Sequence, residues 1–173
     1  MEIRKFAMNH GTVLGLILAL IALVFWMIGI DEQESMLPFL INNILIIGFF
    51  YYSITNYRDG IGNGFITYSS SLKLGTSIAF FYSVIMAFYT FIYMTYLNPD
   101  FLIDFYKITE QSLLQSKPDI SDEELDMALE ILSNVMQPHF LMILVVLYRT
   151  FMGFFLSAIL SFFIRRTDIN NLA

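Results

Sequence analysis

Long apolar segments separated by polar connections dominate the pattern of the chain. Four segments have the roughly 20 mostly apolar residues that a helix needs to cross the ~30 Å hydrocarbon core of a bilayer. They cover residues 11–30, 38–57, 74–97 and 138–164. None alternates apolar and polar residues in the way a barrel strand does, and each is longer than such a strand. The pattern predicts an all-α integral membrane protein, a single domain over residues 1–173 whose four spans pack as a four-helix bundle.

The connection between the third and fourth segments, residues 98–137, is long enough to hold helices of its own. Pro99 opens a stretch with apolar residues at helical spacing, and Pro118 ends it. Ser121 and Glu124 then have the spacing of a capping box, which begins a second helix. Each stretch has one apolar face, formed by Phe101, Leu102, Phe105, Ile108, Thr109 and Leu113 in the first and by Leu125, Ala128, Leu129, Leu132, Val135 and Met136 in the second. We therefore expect a two-helix insert.

Basic residues in the connections set the expected orientation, because loops rich in lysine and arginine stay in the cytoplasm. Only Lys107 and Lys117 fall on one side of the membrane. The other side carries Arg4, Lys5, Arg58, Lys73, Arg165 and Arg166. Both termini and the glycine-rich loop 58–73 are thus predicted to be cytoplasmic. The 98–137 insert and the short 31–37 loop are predicted to be extracytoplasmic.

Composition and motifs narrow the class of protein. The chain is 57% hydrophobic and 14% charged, whereas a soluble domain has about 25% charged residues. A net charge of −6 offers no basic surface for nucleic acid, and a chain without cysteine has no thiolate metal site. The glycine-rich loop lacks a phosphate-loop motif, so we expect a plain turn there. No nucleophile–base pair or zinc motif is apparent, so we expect no enzyme activity, no cofactor and no metal.

Small residues recur every four positions in three of the segments. Helices in lipid associate through close contact at such residues. The stripes are Gly11, Gly15 and Ala19; Gly75, Ala79, Ser83 and Ala87; and Gly153, Ser157 and Ser161. We expect them to pack the helices of one chain together, and a homodimer seam is the alternative.

Arg149 is the only charged residue inside a predicted span. An arginine at this depth costs at least ~2.5 kcal/mol on insertion scales, which makes it a candidate for a functional site. By depth its expected neighbours are Tyr89, Tyr93, Asn42 and Asn43, which together with Arg149 would bind an anionic head group or phosphate. In the other interpretation, which we favour, the arginine extends toward the membrane surface and only ties helices together.

Three short motifs resemble the DUF4199 family. They are Asn56-Tyr57-Arg58-Asp59, Gly64-Phe65-Ile66-Thr67-Tyr68 and Leu72-Lys73-Leu74-Gly75. The order of the other parts is similar too, including patches at residues 99–102, 136–138 and 151–154. The resemblance implies an uncharacterised four-span protein of the bacterial inner membrane, from a family found mostly in Bacteroidetes, with an accessory role beside a membrane glycosyltransferase.

Two functions follow from these observations. The favoured one is a non-catalytic scaffold or accessory subunit of an envelope assembly, with the lipid bilayer and a second membrane protein, such as a glycosyltransferase, as partners. The alternative is a small transporter or lipid-intermediate carrier, as a homodimer, that binds an anionic group at Arg149. A cavity reaching Arg149 would favour the carrier, whereas a filled core with Arg149 bonded to tyrosine or backbone would favour the scaffold.

Overall fold

Helices make up the fold of the chain. A computed structural model describes residues 3–30 and 35–166, and these ranges contain six α-helices and no strand. The helices are α1 (Ile3–Met27), α2 (Met36–Gly60), α3 (Tyr68–Ile92), α4 (Asp100–Ser116), α5 (Asp122–Val135) and α6 (Pro138–Ile164). A π-helical segment, Tyr93–Leu97, continues α3. Four helices are long and apolar enough to cross a membrane: α1, α2, the continuous Tyr68–Leu97 helix and α6. The predicted all-α class with four candidate spans is confirmed.

The first helix is shifted toward the N-terminus relative to the predicted span 11–30. It begins at Ile3 and ends at Met27. Gly29 has a φ of +74°, a conformation that favours glycine. The Gly29 N–H bonds the Trp26 carbonyl at 3.1 Å, and the Ile30 N–H bonds the Phe25 carbonyl at 3.0 Å. These two bonds are a Schellman motif, which ends the helix before the predicted boundary. Residues 31–34 of the predicted 31–37 loop lie outside the described residues.

The described chain divides into two compact units. The first unit runs up to Met86 and resumes at Val146, so it contains α1, α2 and most of α3 and α6. Its core is apolar, with Leu14, Leu18, Phe50, Ile54 and Leu74 at most 1% exposed. The core therefore draws on three of the helices directly, and α6 closes it through small residues.

Two glycines bring α1 against α3 in the first unit. A Cβ atom added to Gly11 would lie 2.7 Å from the backbone carbonyl oxygen of Ile78. One added to Gly15 would lie 2.7 Å from the Cβ of Ile85. Because real Cβ atoms do not come this close to other heavy atoms, these positions need glycine for the helices to touch.

The contact between α3 and α6 uses the other two stripes of small residues. A Cβ atom on Gly75 would lie 2.7 Å from the Cβ of Ser157, and one on Gly153 would collide with the Cβ of Ala79. The stripes on α1, α3 and α6 therefore pack helices of one chain together. For the four glycines of these stripes, the expected packing within one chain is confirmed.

The second unit, Ala87–Val145, holds the insert. Helices α4 and α5 contact each other, and α5 begins as predicted, with the Glu124 N–H donating to the Ser121 hydroxyl at 3.3 Å. All six residues of the predicted apolar face of α5 are half-buried. On α4 one predicted position is wrong, since Ile108 is 56% exposed. The half-buried face of α4 instead includes Tyr106, because at 100° per residue it lies nearer the centre of that face.

Candidate functional site

Arg149 lies half-buried on α6 in the first unit. The hydroxyl of Tyr82 on α3 donates a long hydrogen bond of 3.4 Å to the Arg149 backbone carbonyl. Tyr82 is only 3% exposed, and its hydroxyl also interacts electrostatically with the Arg149 guanidinium. No ion pair to Arg149 is found within residues 3–30 and 35–166. The fold thus brings Tyr82 to Arg149.

Hydroxyl groups bond across the same contact between α3 and α6. The Ser83 and Thr150 hydroxyls are 3.1 Å apart, and the Ser161 hydroxyl donates to the Ser71 hydroxyl at 2.7 Å. All four of these residues belong to the first unit. Buried hydroxyls need partners because leaving them unpaired in an apolar setting costs free energy. These bonds therefore fix the register of α3 against α6 on both sides of the Gly75 contact.

Asn42 and Asn43 were predicted as neighbours of Arg149, but neither forms a hydrogen bond with it among the described residues. Asn43 is exposed, and its Nδ2 donates to the Phe39 carbonyl of the same helix at 2.8 Å. Asn42 is half-buried, and its Oδ1 is enclosed without a hydrogen-bond partner among the described residues. The adjacent amides thus point to different surroundings.

The two predicted tyrosines belong to the second unit, whereas Arg149 belongs to the first. The Tyr89 and Tyr93 rings stack with their centroids 6.1 Å apart. The Tyr93 hydroxyl also accepts a 3.1 Å hydrogen bond from the Asn98 side chain. Binding of an anionic group by Arg149 together with these tyrosines and Asn42 therefore stays a prediction.

Sequence reasoning missed Tyr82 as the neighbour of Arg149. The predicted third span began at residue 74, but α3 begins at Tyr68. Six more residues at one end move the middle of the helix by three residues, or about 4.5 Å at 1.5 Å per residue. Tyr82 then lies level with the middle of the continuous Tyr68–Leu97 helix. Ser83 could have indicated this neighbour. It belongs to the stripe of small residues that faces α6, and Tyr82 directly precedes it in the sequence.

Arg58 links the 58–73 loop to the C-terminal end of α6. One of its terminal nitrogens donates to the Ile164 carbonyl at 3.3 Å. Its Nε and its other terminal nitrogen hold the two carboxylate oxygens of Asp59, at 2.6 and 2.9 Å. Beyond the helix, Ile66 and Arg166 exchange two backbone hydrogen bonds of 2.9 and 3.0 Å. The arginine fork therefore supplies a donor to a helix end that lacks internal partners for its last carbonyls.

The glycines of this loop form a tight turn. A Cβ atom on Gly62 would lie 2.8 Å from the Arg58 carbonyl oxygen, which excludes any larger residue there. Gly64 has a φ of +89° and donates its N–H to the same carbonyl at 2.9 Å. The Thr67 hydroxyl then accepts from the Ser70 N–H at 3.2 Å and caps the start of α3. The motif residues of the loop thus act on the backbone of their own turn and helix ends.

Acidic and histidine side chains do not converge in the described part of the chain. Within residues 3–30 and 35–166 no three such residues come close enough to hold a metal ion. Two ion pairs occur in these ranges. One joins Arg58 and Asp59, and the other joins the exposed side chains of Lys107 and Asp104 at 3.7 Å.

Comparison with known proteins identifies a family. No curated protein and no solved structure matches the chain. A family model described as "Protein of unknown function (DUF4199)" matches residues 9–166. This range includes the turn around Gly62, Arg149 and the whole 98–137 insert. Because the match covers most of the sequence, the chain belongs to the DUF4199 family.

Proposed function

We propose that this protein is a non-catalytic scaffold or accessory subunit of an envelope assembly. The observation that carries the proposal is the filled contact around Arg149. Gly153 packs directly on Ala79 there, and the Tyr82 hydroxyl bonds the Arg149 carbonyl. A carrier needs room beside the group that holds its cargo, whereas this contact is closed by backbone and small side chains. A closed contact suits a protein that positions a partner.

The proposed location is the bacterial inner membrane, with both termini in the cytoplasm. Support comes from the way Arg58 reaches the Ile164 carbonyl and Ile66 pairs with Arg166, because these contacts gather basic residues from the loop and from the end of α6. A Phe6–Tyr57 ring contact of 5.1 Å adds the start of α1 to the same end. An end rich in arginine and lysine is retained in the cytoplasm. The 98–137 insert is then extracytoplasmic.

The insert offers the surface on which we expect a partner to bind. Helix α5 carries exposed acidic residues beside two exposed apolar ones, Met127 at 64% and Ile131 at 61%. Exposed apolar side chains rimmed by charge are typical of protein interaction surfaces. The expected partner is a second membrane protein, such as a glycosyltransferase.

Gentle affinity purification from native membranes, followed by native mass spectrometry of the intact particle, tests this proposal. We expect a second protein in stoichiometric amount. An Ile131→Lys variant should reduce the recovery of this second protein. Leu114→Lys is the matched control, because Leu114 is also an exposed apolar residue but lies on α4, and it should leave the recovery unchanged. A particle that contains this chain alone with a bound anionic lipid or lipid-linked phosphate would refute the accessory role.

That last outcome corresponds to the second candidate function, a small carrier of an anionic group. It is favoured by Arg149, a half-buried cation in a candidate span without an ion pair among the described residues. A carrier should lose the bound anionic lipid when Arg149→Leu is introduced, whereas a scaffold should keep its partner. An Arg149→Leu protein with unchanged folding and full function would exclude the carrier.

A further inference from the structure

Helix α2 exposes an apolar face with the spacing of a helix-pairing seam. The residues on it are Leu37, Leu40, Ile44, Ile47 and Tyr51, each at least 48% exposed. Their separations alternate between three and four residues. This is the a and d pattern along which two parallel helices pack at a small left-handed crossing angle.

A polar residue flanks this seam within the apolar part of the helix. Asn43 lies about 7.5 Å along the axis from the middle of α2, well inside a ~30 Å hydrocarbon core. It is exposed, and among the described residues its one hydrogen bond joins its Nδ2 to the Phe39 carbonyl at 2.8 Å. Lipid tails offer no partner for the amide oxygen or the second N–H. An exposed asparagine at this depth therefore points to a polar surface on a neighbouring helix.

A bare stretch of backbone flanks the seam on its other side. Gly48 is exposed, and a Cβ atom added to it would meet nothing within 4 Å. The glycines of the other candidate spans, such as Gly75 and Gly153, all meet a facing helix. A helical side chain covers the turn that precedes it, so glycine at position 48 leaves the backbone of the preceding turn without that cover. Glycine costs up to about 1 kcal/mol relative to alanine within a helix, and nothing within the described chain uses this one.

The register of the two flanking residues identifies the partner. With Leu40 and Ile47 at d positions and Ile44 at an a position, Asn43 occupies position g and Gly48 position e. In a parallel pair, position g of one helix faces position e of the other, five residues further on. Asn43 and Gly48 are five residues apart. A two-fold axis along the membrane normal would therefore place each Asn43 opposite Gly48 of a second copy.

We propose that this face of α2 is a parallel homodimer interface in which the Asn43 amide packs on the bare backbone at Gly48 of the second copy. A second copy fits better than an unrelated protein because the two features match each other across a symmetry axis. The interface is independent of the proposed accessory function, since a dimer and a monomer can both carry the insert.

Cysteine cross-linking in native membranes tests the interface, and the chain contains no cysteine of its own. Ile44→Cys places a thiol in the seam. Ile159→Cys is the matched control, because Ile159 is 60% exposed on α6. A disulfide requires Cβ atoms about 3.5–4.5 Å apart, so oxidation links only closely paired copies. We expect a covalent dimer with Ile44→Cys and little or none with Ile159→Cys.

Two second-site changes test the contact itself. Gly48→Leu added to Ile44→Cys should abolish the cross-link, and the fold should persist because the added Cβ meets open space. Asn43→Leu removes this contact from both halves of the two-fold dimer. Its dissociation constant in a bilayer should therefore rise by about 9- to 900-fold, the square of the ~3- to 30-fold range of one interhelical hydrogen bond. Equal cross-linking of the two cysteine variants, a cross-link that survives Gly48→Leu, or one that joins Ile44→Cys to a different protein would each overturn the proposal.

Discussion

The sharpest test of the packing compares the same substitution in two glycines. Gly75→Ala places a methyl group in the closed contact with α6, whereas Gly48→Ala places one in open space. Both residues lie inside helices that are candidate membrane spans. The pair therefore separates the cost of closing the contact from the general effect of replacing glycine.

Two opposing contributions set the change in the free energy of unfolding on replacing glycine by alanine. Alanine gains up to about 1 kcal/mol over glycine inside a helix, and overpacking a tight contact costs about 1–3 kcal/mol. Ser157, which the new methyl group would meet, cannot move aside freely because its hydroxyl donates to the Gly153 carbonyl at 2.6 Å. We expect Gly75→Ala to destabilise by about 0–3 kcal/mol and Gly48→Ala to stabilise by up to about 1 kcal/mol, a difference of about 1–3 kcal/mol.

Unfolding in mixed detergent micelles measures this difference. The chain has a single tryptophan, Trp26, whose fluorescence reports on α1, and far-UV circular dichroism follows the helices as a whole. Protein dilution to the monomer removes any contribution from association at Gly48. Equal stability of the two variants would show that α3 and α6 do not approach closely at Gly75.

Three further predictions concern helix ends and the turn. Arg58→Gln should lower the thermal unfolding temperature because the last carbonyls of α6 lose a donor, and Asp59→Asn should have a smaller effect because Asp59 is 56% exposed. Gly62→Ala should lower this temperature too, since its Cβ would press on the Arg58 carbonyl, and an unchanged temperature would refute the turn. Ser121→Ala should cost α5 about 1 kcal/mol, visible as faster amide hydrogen exchange in residues 122–135. Ser133→Ala is the control for it, because that exposed hydroxyl bonds only within its own helix, and equal exchange in the two variants would contradict the cap.

The spans could be predicted from the sequence because a bilayer imposes length and apolarity on any helix that crosses it. The start of α5 could be predicted for a different reason, because the Ser121 hydroxyl bonds a backbone N–H only three residues away. The end of α1 was also available in the sequence, since Gly29 is a typical residue for the position after a helix. These features depend on neighbours along the chain.

The surroundings of Arg149 could not be predicted in the same way. They depend on where α3 begins, and that start is fixed by the turn around Gly62 and the Thr67 cap. Hydropathy places the apolar core of a span but not the polar turn with which the helix starts. Starting the third span at residue 74 instead of Tyr68 was enough to leave Tyr82 out of the neighbours expected by depth.

Glycine within a span carries two opposite meanings that composition cannot separate. At Gly75 it lets two helices of one chain touch, and the surrounding side chains leave no space. At Gly48 the same residue faces outward with no atom near it, one position from a seam residue and five from an exposed asparagine. Packing among the described residues explains the first glycine only. If the second is also used for packing, its partner lies beyond the described residues of this copy, and the spacing of Asn43 and Gly48 makes a second copy the partner that satisfies both residues at once.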